Sequence, residues 1–550
     1  MALIDFEKMR VLVVDDQRPF LVLLRGMVNA LGAKSVVIAQ NGEAAVVACR
    51  KEKFDIIISD VQLGADKKNG YQFLEEIRIL KYVKPDTVFV MVSGDNQRPV
   101  VLGSLERQPD DYMIKPFSQA QLSIRLQKAY MKKQELAPVY QHYMKGDVNK
   151  AIEECRTLIT NGCKYRQACS VLLTELYWKS GQHKQALHML EPIMQHKPHP
   201  WVQVAIAKTQ MHLGNYDQAI TLAKQVVKNR VLAVEGHDVL AKSYWQKGYL
   251  DEAINEIKKS ITLSPYSLDR QYLGASLARE NNDFEFAKQC CKAIFEQTRR
   301  SVYRDVAHLC NFVRSILDAA EHAAEKGDRN KFQQEALITL QRLRNDDILT
   351  RLSEPFDYGA FEDIINARVN FLDGKLSEAR RSLSKAQNTL EEQFEEYPIS
   401  MVPDSIKVLF DLGEFDEVNL LSKRLQNGEY NIDPNVEYLL SKTSEGMTEQ
   451  IRAFQQHCKD GLNCYNQGKF QAAYESYSQA LKLSPTNIDA VISLLQCIAR
   501  MLDKLDKPDL KLIVDSKKHV RLLGDLELNR AQKARFHEVK NELQMHMELK

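Results

Sequence analysis

Between residues 133 and 300 the sequence returns five times to one signature. Gly146, Gly181, Gly214, Gly248 and Asn282 follow one another at intervals of 35, 33, 34 and 34 residues. Five residues after each stands an alanine: Ala151, Ala186, Ala219, Ala253 and Ala287. Glycine or asparagine closes a helix in the left-handed backbone conformation at least cost. A small residue soon afterwards lets two helices approach closely. Seventeen residues after Gly181 and Gly248 come Pro198 and Pro265, which stop the second helix. The unit is therefore a helix–turn–helix of about 34 residues. One such unit cannot bury its apolar face alone, so copies stack into a superhelix with a concave groove that suits a protein partner. His183, His188, His196 and His199 are scattered through these helices and bring no companion ligands, so they read as structural or solvated side chains rather than a metal site.

The copy around Gly248 is the fullest, and with Ala241, Tyr244, Ala253 and Pro265 it resembles the tetratricopeptide repeat. The pattern weakens over residues 301–550. Ser301–Gly327 and Lys331–Leu343 read as helices off the period, and Glu429–Asn435 reads as a loop. The signature returns at Gly374 with Ala379, and at Gly413 with Val418 in place of the alanine. A clear copy stands near 454–487, with Gly468, Ala473, Ala480 and Pro485. Arg530–Lys550 is a charged terminal helix with Phe536, Val539, Leu543 and Met547 on one stripe, as expected of the cap a solenoid needs.

Residues 1–132 follow another rule. Short apolar runs alternate with helical patterns: Val11–Val14 before Arg18–Leu31, Ser35–Ala39 before Glu43–Lys51, and Ile56–Ser59 before Gly70–Leu80. Val88–Val92 then precedes Pro99–Glu106, and Asp111–Ile114 precedes Ser118–Lys132. Five βα units predict an α/β doubly wound domain, a parallel sheet covered on both faces. The fold class expected of the chain is this (βα)5 domain followed by an all-α helical solenoid.

The strand ends carry the chemistry. Asp15 and Asp16 end the first run, Asp60 the third and Ser93 the fourth, while Lys115 follows the fifth and precedes Pro116. Open α/β sheets bind ligands at this carboxyl edge. Three carboxylates are hard oxygen ligands suited to Mg²⁺. A carboxylate beside a divalent ion and an ammonium can attack a phosphoryl group and form an acyl phosphate. Ser93 can then donate a hydrogen bond to the phosphate.

With Asp15, Asp16, Asp60, Ser93, Tyr112, Lys115 and Pro116 in order, this stretch resembles the receiver domain of two-component response regulators. The resemblance implies Asp60 as phosphoacceptor and Mg²⁺ held by Asp16, Asp60 and the backbone carbonyl of Gln62, with Asp15 bound through water. It implies Ser93 and Tyr112 as a switch pair and Lys115 as partner of a phosphate oxygen. It also implies a histidine kinase or histidine phosphotransfer protein as phosphodonor, and allows a phosphorylation-dependent homodimer. One stretch departs from the family. Val61–Gly70 is longer than usual and lacks the usual proline, and it is expected to be mobile with Asn69-Gly70 as its turn.

The remaining exclusions are compositional. Lys+Arg 75 against Asp+Glu 73 leaves a net charge of +2, which gives no reason to expect nucleic acid or an anionic membrane as the main partner. A nucleic-acid-binding transcriptional regulator is the alternative, but it lacks a basic cluster or a helix-turn-helix tail to support it. No apolar stretch approaches the roughly 20 residues of a membrane span, and the start lacks a secretory signal. Ten cysteines without CxxC spacing fit reduced thiols in a cytoplasm. The sequence from 301 to 550 shows no phosphate loop, metal-ligand helix or nucleophile elbow, so no enzyme is expected there. The domain limits expected are 1–132, 133–300 and 301–550. No Gly/Ser-rich linker separates the first two, and Pro138 is expected in the first turn of the first repeat helix.

Overall fold

The computed structural model describes residues 5–94, 108–196, 199–228, 233–345, 355–426, 434–504, 509–526, 528 and 530–547. The chain forms two compact units, Met1–Arg304 and Asp305–Lys550.

After a short 3-10 turn at Phe6–Lys8, the first unit runs through β1 (Arg10–Val14), α1 (Arg18–Ala30), β2 (Ser35–Ala39), α2 (Gly42–Lys51), β3 (Ile56–Asp60), α3 (Gly70–Ile79), β4 (Val88–Ser93) and β5 (Asp111–Ile114). The strands pair in parallel in the order β2-β1-β3-β4-β5. Side chains alternate between two cores. Val11, Val13, Ile56, Ile58, Val88 and Val90 face one, closed by Leu21, Leu24 and Val28 of α1 and by Leu122 and Leu126 further along the chain. Leu12, Val14, Ile57, Phe89 and Met91 face the other, closed by α2 and α3 through Ala45, Val46, Phe73, Leu74 and Ile77. Helices on both faces are why these strands read as unbroken apolar runs. The expected helix Pro99–Glu106 lies outside the described residues.

The helix that follows, α4 (Gln119–Met144), is 26 residues long. Ser118 and Gln121 start it with a reciprocal capping box. Two helices were expected here, with Pro138 near the start of the second. Instead Pro138 sits inside one continuous helix. It has no N–H to bond the Gln134 carbonyl, a real cost in a helix interior. Packing at both ends offsets it: Leu122, Leu126 and Ala129 bind the sheet, while Leu136 and Val139 belong to the core of the first repeat. Lys133, at the expected domain limit, is buried in mid-helix with its ammonium 3.0 Å from Asp110 and 4.1 Å from the centre of the Tyr140 ring.

The repeats continue as α5 (Val148–Thr160), α6 (Arg166–Lys179), α7 (His183–His196), α8 (Pro200–His212), α9 (Tyr216–Lys228), α10 (Ala233–Gln246), α11 (Leu250–Leu263), α12 (Leu268–Glu280) and α13 (Phe284–Thr298). The five turn residues all adopt positive φ, from 57° at Asn282 to 87° at Gly146. The alanines that follow them are fully buried between helices. Pro265 stands just beyond α11, whereas Pro198 lies outside the described residues.

The second unit is entirely helical among its described residues: α14 (Val306–Glu321), α15 (Lys326–Leu343), α16 (Tyr358–Leu372), α17 (Leu376–Gln393), α18 (Val402–Leu412), α19 (Phe415–Gln426), α20 (Pro434–Asn466), α21 (Phe470–Leu483), α22 (Ile488–Leu502), α23 (Leu510–Gly524) and α24 (Arg530–Met547). The helix expected over Ser301–Gly327 is shorter, because Asp305 caps its start and the chain leaves it after Glu321; Gly327 belongs to the next helix. Pro434 and Asn435, expected in a loop, begin α20, and the rest of that loop from Glu429 lies outside the described residues. Three buried charges fasten α14, α16 and α18. Asp404 receives Arg314 at 2.6 Å and Arg368 at 3.0 Å, and Arg368 also reaches Asp318 at 3.0 Å. Val539 and Leu543 of α24 pack into the core formed by α21, α22 and α23.

Candidate functional site

The strand order reverses direction between β1 and β3, which opens a crevice at their carboxyl ends. Asp15 and Asp16 follow β1, and Asp60 is the last residue of β3. Carboxylate oxygens of all three lie within 4.8 Å of one another, an arrangement that could hold a metal ion. Asp15 and Asp60 are buried and Asp16 is exposed. The group thus has an open side toward solvent, and its oxygen donors fit a hard cation such as Mg²⁺.

Each side chain is held by its own element. Asp15 Oδ1 accepts a hydrogen bond from the Gln17 amide at 2.9 Å as the chain turns into α1. Asp60 Oδ1 accepts from the Gln62 amide at 3.2 Å. Lys115 follows β5, joined to Pro116 by a cis peptide bond. Its ammonium donates to Asp15 Oδ2 and to Asp60 Oδ2, both at 2.6 Å. It also sits 4.0 Å from the centre of the Phe20 ring, so α1 supplies a cation–π contact. Burial raises the Asp60 carboxyl above its ordinary pKa, opposed by the Lys115 ammonium and reinforced by Asp15. Burial alone would lower the Lys115 pKa, but the hydrogen bonds and charges of the two aspartates outweigh it and hold it up.

Ser93 ends β4, buried, and its carbonyl accepts from the Lys115 amide at 2.8 Å. Tyr112 lies on β5 opposite Met91, half-buried against the core on the α2–α3 face. Its carbonyl accepts from Arg125 of α4 at 2.8 Å. The structure thus gathers Asp15, Asp16, Asp60 and Lys115 directly, with Ser93 on the adjoining strand end and Tyr112 two residues before the end of β5. Gln62 is exposed, next to this group.

Three features were not read from the sequence. Phe20 is one; an aromatic in a helical pattern gives no sign that it will sit under an ammonium. Gly70 is another. A Cβ there would lie 2.2 Å from the Asp60 carbonyl oxygen, so only glycine lets α3 start against the end of β3. The third corrects the expected turn at Asn69-Gly70. Asn69 caps α3 in a reciprocal box with Gln72. Val61, Leu63 and Lys68 are buried, so the 61–70 segment is anchored at both ends and exposed only at Gln62 and Gly64–Lys67.

Comparison with known proteins agrees with this geometry. Residues 11–127 match the family model of the response regulator receiver domain. Residues 168–242, 235–267 and 461–487 match tetratricopeptide repeat models. The alkaline phosphatase synthesis transcriptional regulatory protein PhoP of Bacillus subtilis is 34% identical over 128 residues, which is 23% of this chain and 50% of that protein. A two-component response regulator of Arabidopsis thaliana is 30% identical over 115 residues, 21% of this chain and 29% of that protein. The chain spans about half the length, or less, of the curated relatives it matches. A CheY-like receiver domain protein from Methanospirillum hungatei aligns with TM-score 0.21 and 24% identity, over 23% of this chain and 97% of that one. The chain carries a receiver domain at its amino-terminal end, followed by tetratricopeptide repeats, both of them signalling and interaction modules. Among the described residues no helix is long and apolar enough to cross a membrane.

Proposed function

We propose that this chain is a two-component response regulator in which Asp60 accepts a phosphoryl group from a histidine kinase or histidine phosphotransfer protein, and whose repeats hold a protein partner. The observation that carries the reading is the Lys115 ammonium bridging Asp15 and Asp60 at 2.6 Å beside the exposed Asp16. An Asp60 carboxylate oxygen forms the new bond to phosphorus as the bond from phosphorus to the donor imidazole breaks, giving an acyl phosphate. Mg²⁺, held by Asp16, Asp60 and the Gln62 carbonyl with Asp15 through water, would neutralise charge on the phosphoryl oxygens. Lys115 leaves its bridging position to pair with one phosphate oxygen. Ser93 donates a hydrogen bond to another, and Tyr112 on β5 follows it, which changes the surface the domain presents.

The domain limits follow the same reading: a receiver ending within α4, repeats to Arg304, and a second helical unit beyond. The relatives named as transcriptional regulators are matched only over their receiver portions, and the near-neutral charge here favours a protein partner over nucleic acid. All ten cysteines are free, in keeping with a cytoplasmic setting. The test is labelling of the full chain with acetyl phosphate and Mg²⁺. Wild type should take up one acid-stable, base-labile phosphoryl group, lost with chelator, in Asp60→Ala and largely in Asp16→Asn. Undiminished labelling of Asp60→Ala would refute the assignment.

A further inference from the structure

The receiver does more than precede the repeats; its α3 start is fastened to the end of the fifth one. The Gln72 side-chain amide donates to the Gln297 carbonyl at 2.8 Å, and the Lys68 ammonium donates to the Arg300 carbonyl. Arg300 in turn pairs with Asp66 at 3.4 Å, and the Tyr71 ring meets the Tyr266 ring at 5.7 Å. The repeat side is itself braced, since Gln297 and Gln271 both donate to the Pro265 carbonyl, at 2.9 and 2.8 Å. Gln297 lies in the last turn of α13, among the carbonyls that a helix leaves without partners of its own, and Arg300 lies just past the Arg299 C-cap. A cation there is favourable. Gln72 therefore caps a repeat helix while Lys68 holds the chain just beyond it, and these two polar residues on a receiver surface are each only 8% exposed.

The same short segment is bound to the acceptor. The Gly70 amide donates to the Val61 carbonyl at 2.9 Å, and no Cβ fits between Gly70 and the Asp60 carbonyl. Residues 60–61 and 70–72 must move together. We propose that the Val61–Gln72 segment is a latch through which the fifth repeat senses the phosphoryl state of Asp60, closed when Asp60 carries a free carboxylate and loosened when it is phosphorylated. This rests on the reading of Asp60 as phosphoacceptor. Transfer to Asp60 takes Lys115 from its bridge and draws the 60–63 backbone toward the new oxygens. Contacts fitted to the free carboxylate are then strained, which is the differential interaction any switch needs. Linkage makes the effect reciprocal: opening the latch from the repeat side must make the acceptor site bind a phosphoryl mimic more tightly.

The test uses the full chain, with beryllofluoride and Mg²⁺ as the mimic. Hydrogen exchange is followed in residues 66–73 and 296–304, and beryllofluoride affinity is measured in wild type, Tyr266→Ala and Arg300→Glu. The latter opposes Asp66 with a like charge and leaves the repeat core intact. Beryllofluoride should speed exchange in both segments together. Both variants should bind it more tightly, within the roughly 5- to 150-fold range of allosteric couplings. Asp60→Ala should show no response. If wild type binds beryllofluoride while both segments keep their exchange rates, or if both variants bind it with wild-type affinity, the latch is refuted. If wild type does not bind it at all, the acceptor reading of Asp60 falls first, and the latch with it.

Discussion

Gly70→Ala tests how tightly the start of α3 is tied to the end of β3. The new Cβ would sit 2.2 Å from the Asp60 carbonyl oxygen and 3.1 Å from both the Asp60 carbonyl carbon and Val61 Cα. All three neighbours are backbone, so no rotamer relieves the clash, and either β3 or α3 must shift by about 1 Å to restore ordinary contact. Overpacking of this kind costs roughly 1–3 kcal/mol. Gly70 has no positive φ to defend, so alanine recovers about 0.4–1 kcal/mol through the unfolded chain. The receiver should thus lose about 1–2 kcal/mol. Because Asp60 itself is displaced, acetyl phosphate labelling should slow by up to about 100-fold, the usual penalty of a 1 Å misplacement. The matched control is Gly26→Ala, on the exposed face of α1 with nothing within 4 Å, which should stabilise by about 0.5–1 kcal/mol. The three tryptophans, Trp178, Trp201 and Trp245, all lie in the repeats, so stability of the receiver is best followed by hydrogen exchange of the β3 and β4 amides. Wild-type protection and labelling in Gly70→Ala would refute the argument. So would equal losses in the two variants.

Other outcomes follow from charge. Asp60 has a raised pKa when folded, so the folded chain holds its proton more firmly than the unfolded chain; stability falls as pH rises from the ordinary value of 3.8 through the folded one. Asp60→Asn should therefore stabilise the receiver at neutral pH and lose that advantage in acid below 3.8, as read from exchange of β3. An advantage that persisted in acid would contradict the cause given. His212, pressed down to about 4 from 6.5 by burial and by the His183 ring stacked 4.8 Å away, is the opposite case. Its neutral form contributes stability fully above pH 6.5 that is lost as pH falls toward 4. Trp178 lies 6.2 Å from His212, so urea unfolding followed by tryptophan fluorescence should show this acid loss in wild type and a flatter profile in His212→Gln. In the second unit, Arg368→Ala leaves the Asp318 and Asp404 carboxylates undercompensated and should cost about 3–5 kcal/mol. Exchange of the α16 and α18 amides measures it, and a loss below about 1 kcal/mol would show the network contributes little.

The sequence carried much of this because burial and backbone geometry leave strong marks. Strands covered on both faces must be apolar throughout, so Val11–Val14 and Ile56–Ser59 announced themselves. Turns with positive φ select Gly or Asn, and close helix contacts select Ala, so Gly248 with Ala253 could be read as a unit. The acids and Lys115 stood at strand ends, and strand ends of a parallel sheet converge. What could not be read depended on tertiary contacts. Pro138 locally favours a helix start, and only packing at Leu126 and Leu136 on either side keeps α4 whole. Asn69-Gly70 is a common turn pair, yet the same two residues serve a helix cap and a tight backbone approach. The meeting of Gln72 with Gln297 joins residues 225 positions apart, and no periodic signal could reveal it.

The unbroken α4 has a consequence for how such a chain can change its length. A flexible tether fixes only a maximum distance, but a helix acts as a keyed shaft. One residue inserted near Lys133 would carry everything beyond it about 1.5 Å outward and turn it by about 100°. The keyed angle returns only after seven added residues, about two full turns, by which point the offset is about 10 Å. Insertions at the 132–137 segment that miss this phase should turn the first repeat away from its seat, and one that keeps it must still part Lys68 and Gln72 from the Arg300 and Gln297 carbonyls. Receiver and first repeat are in this sense cut from one piece, and neither could be exchanged for a homologous part without matching the rotation of the other.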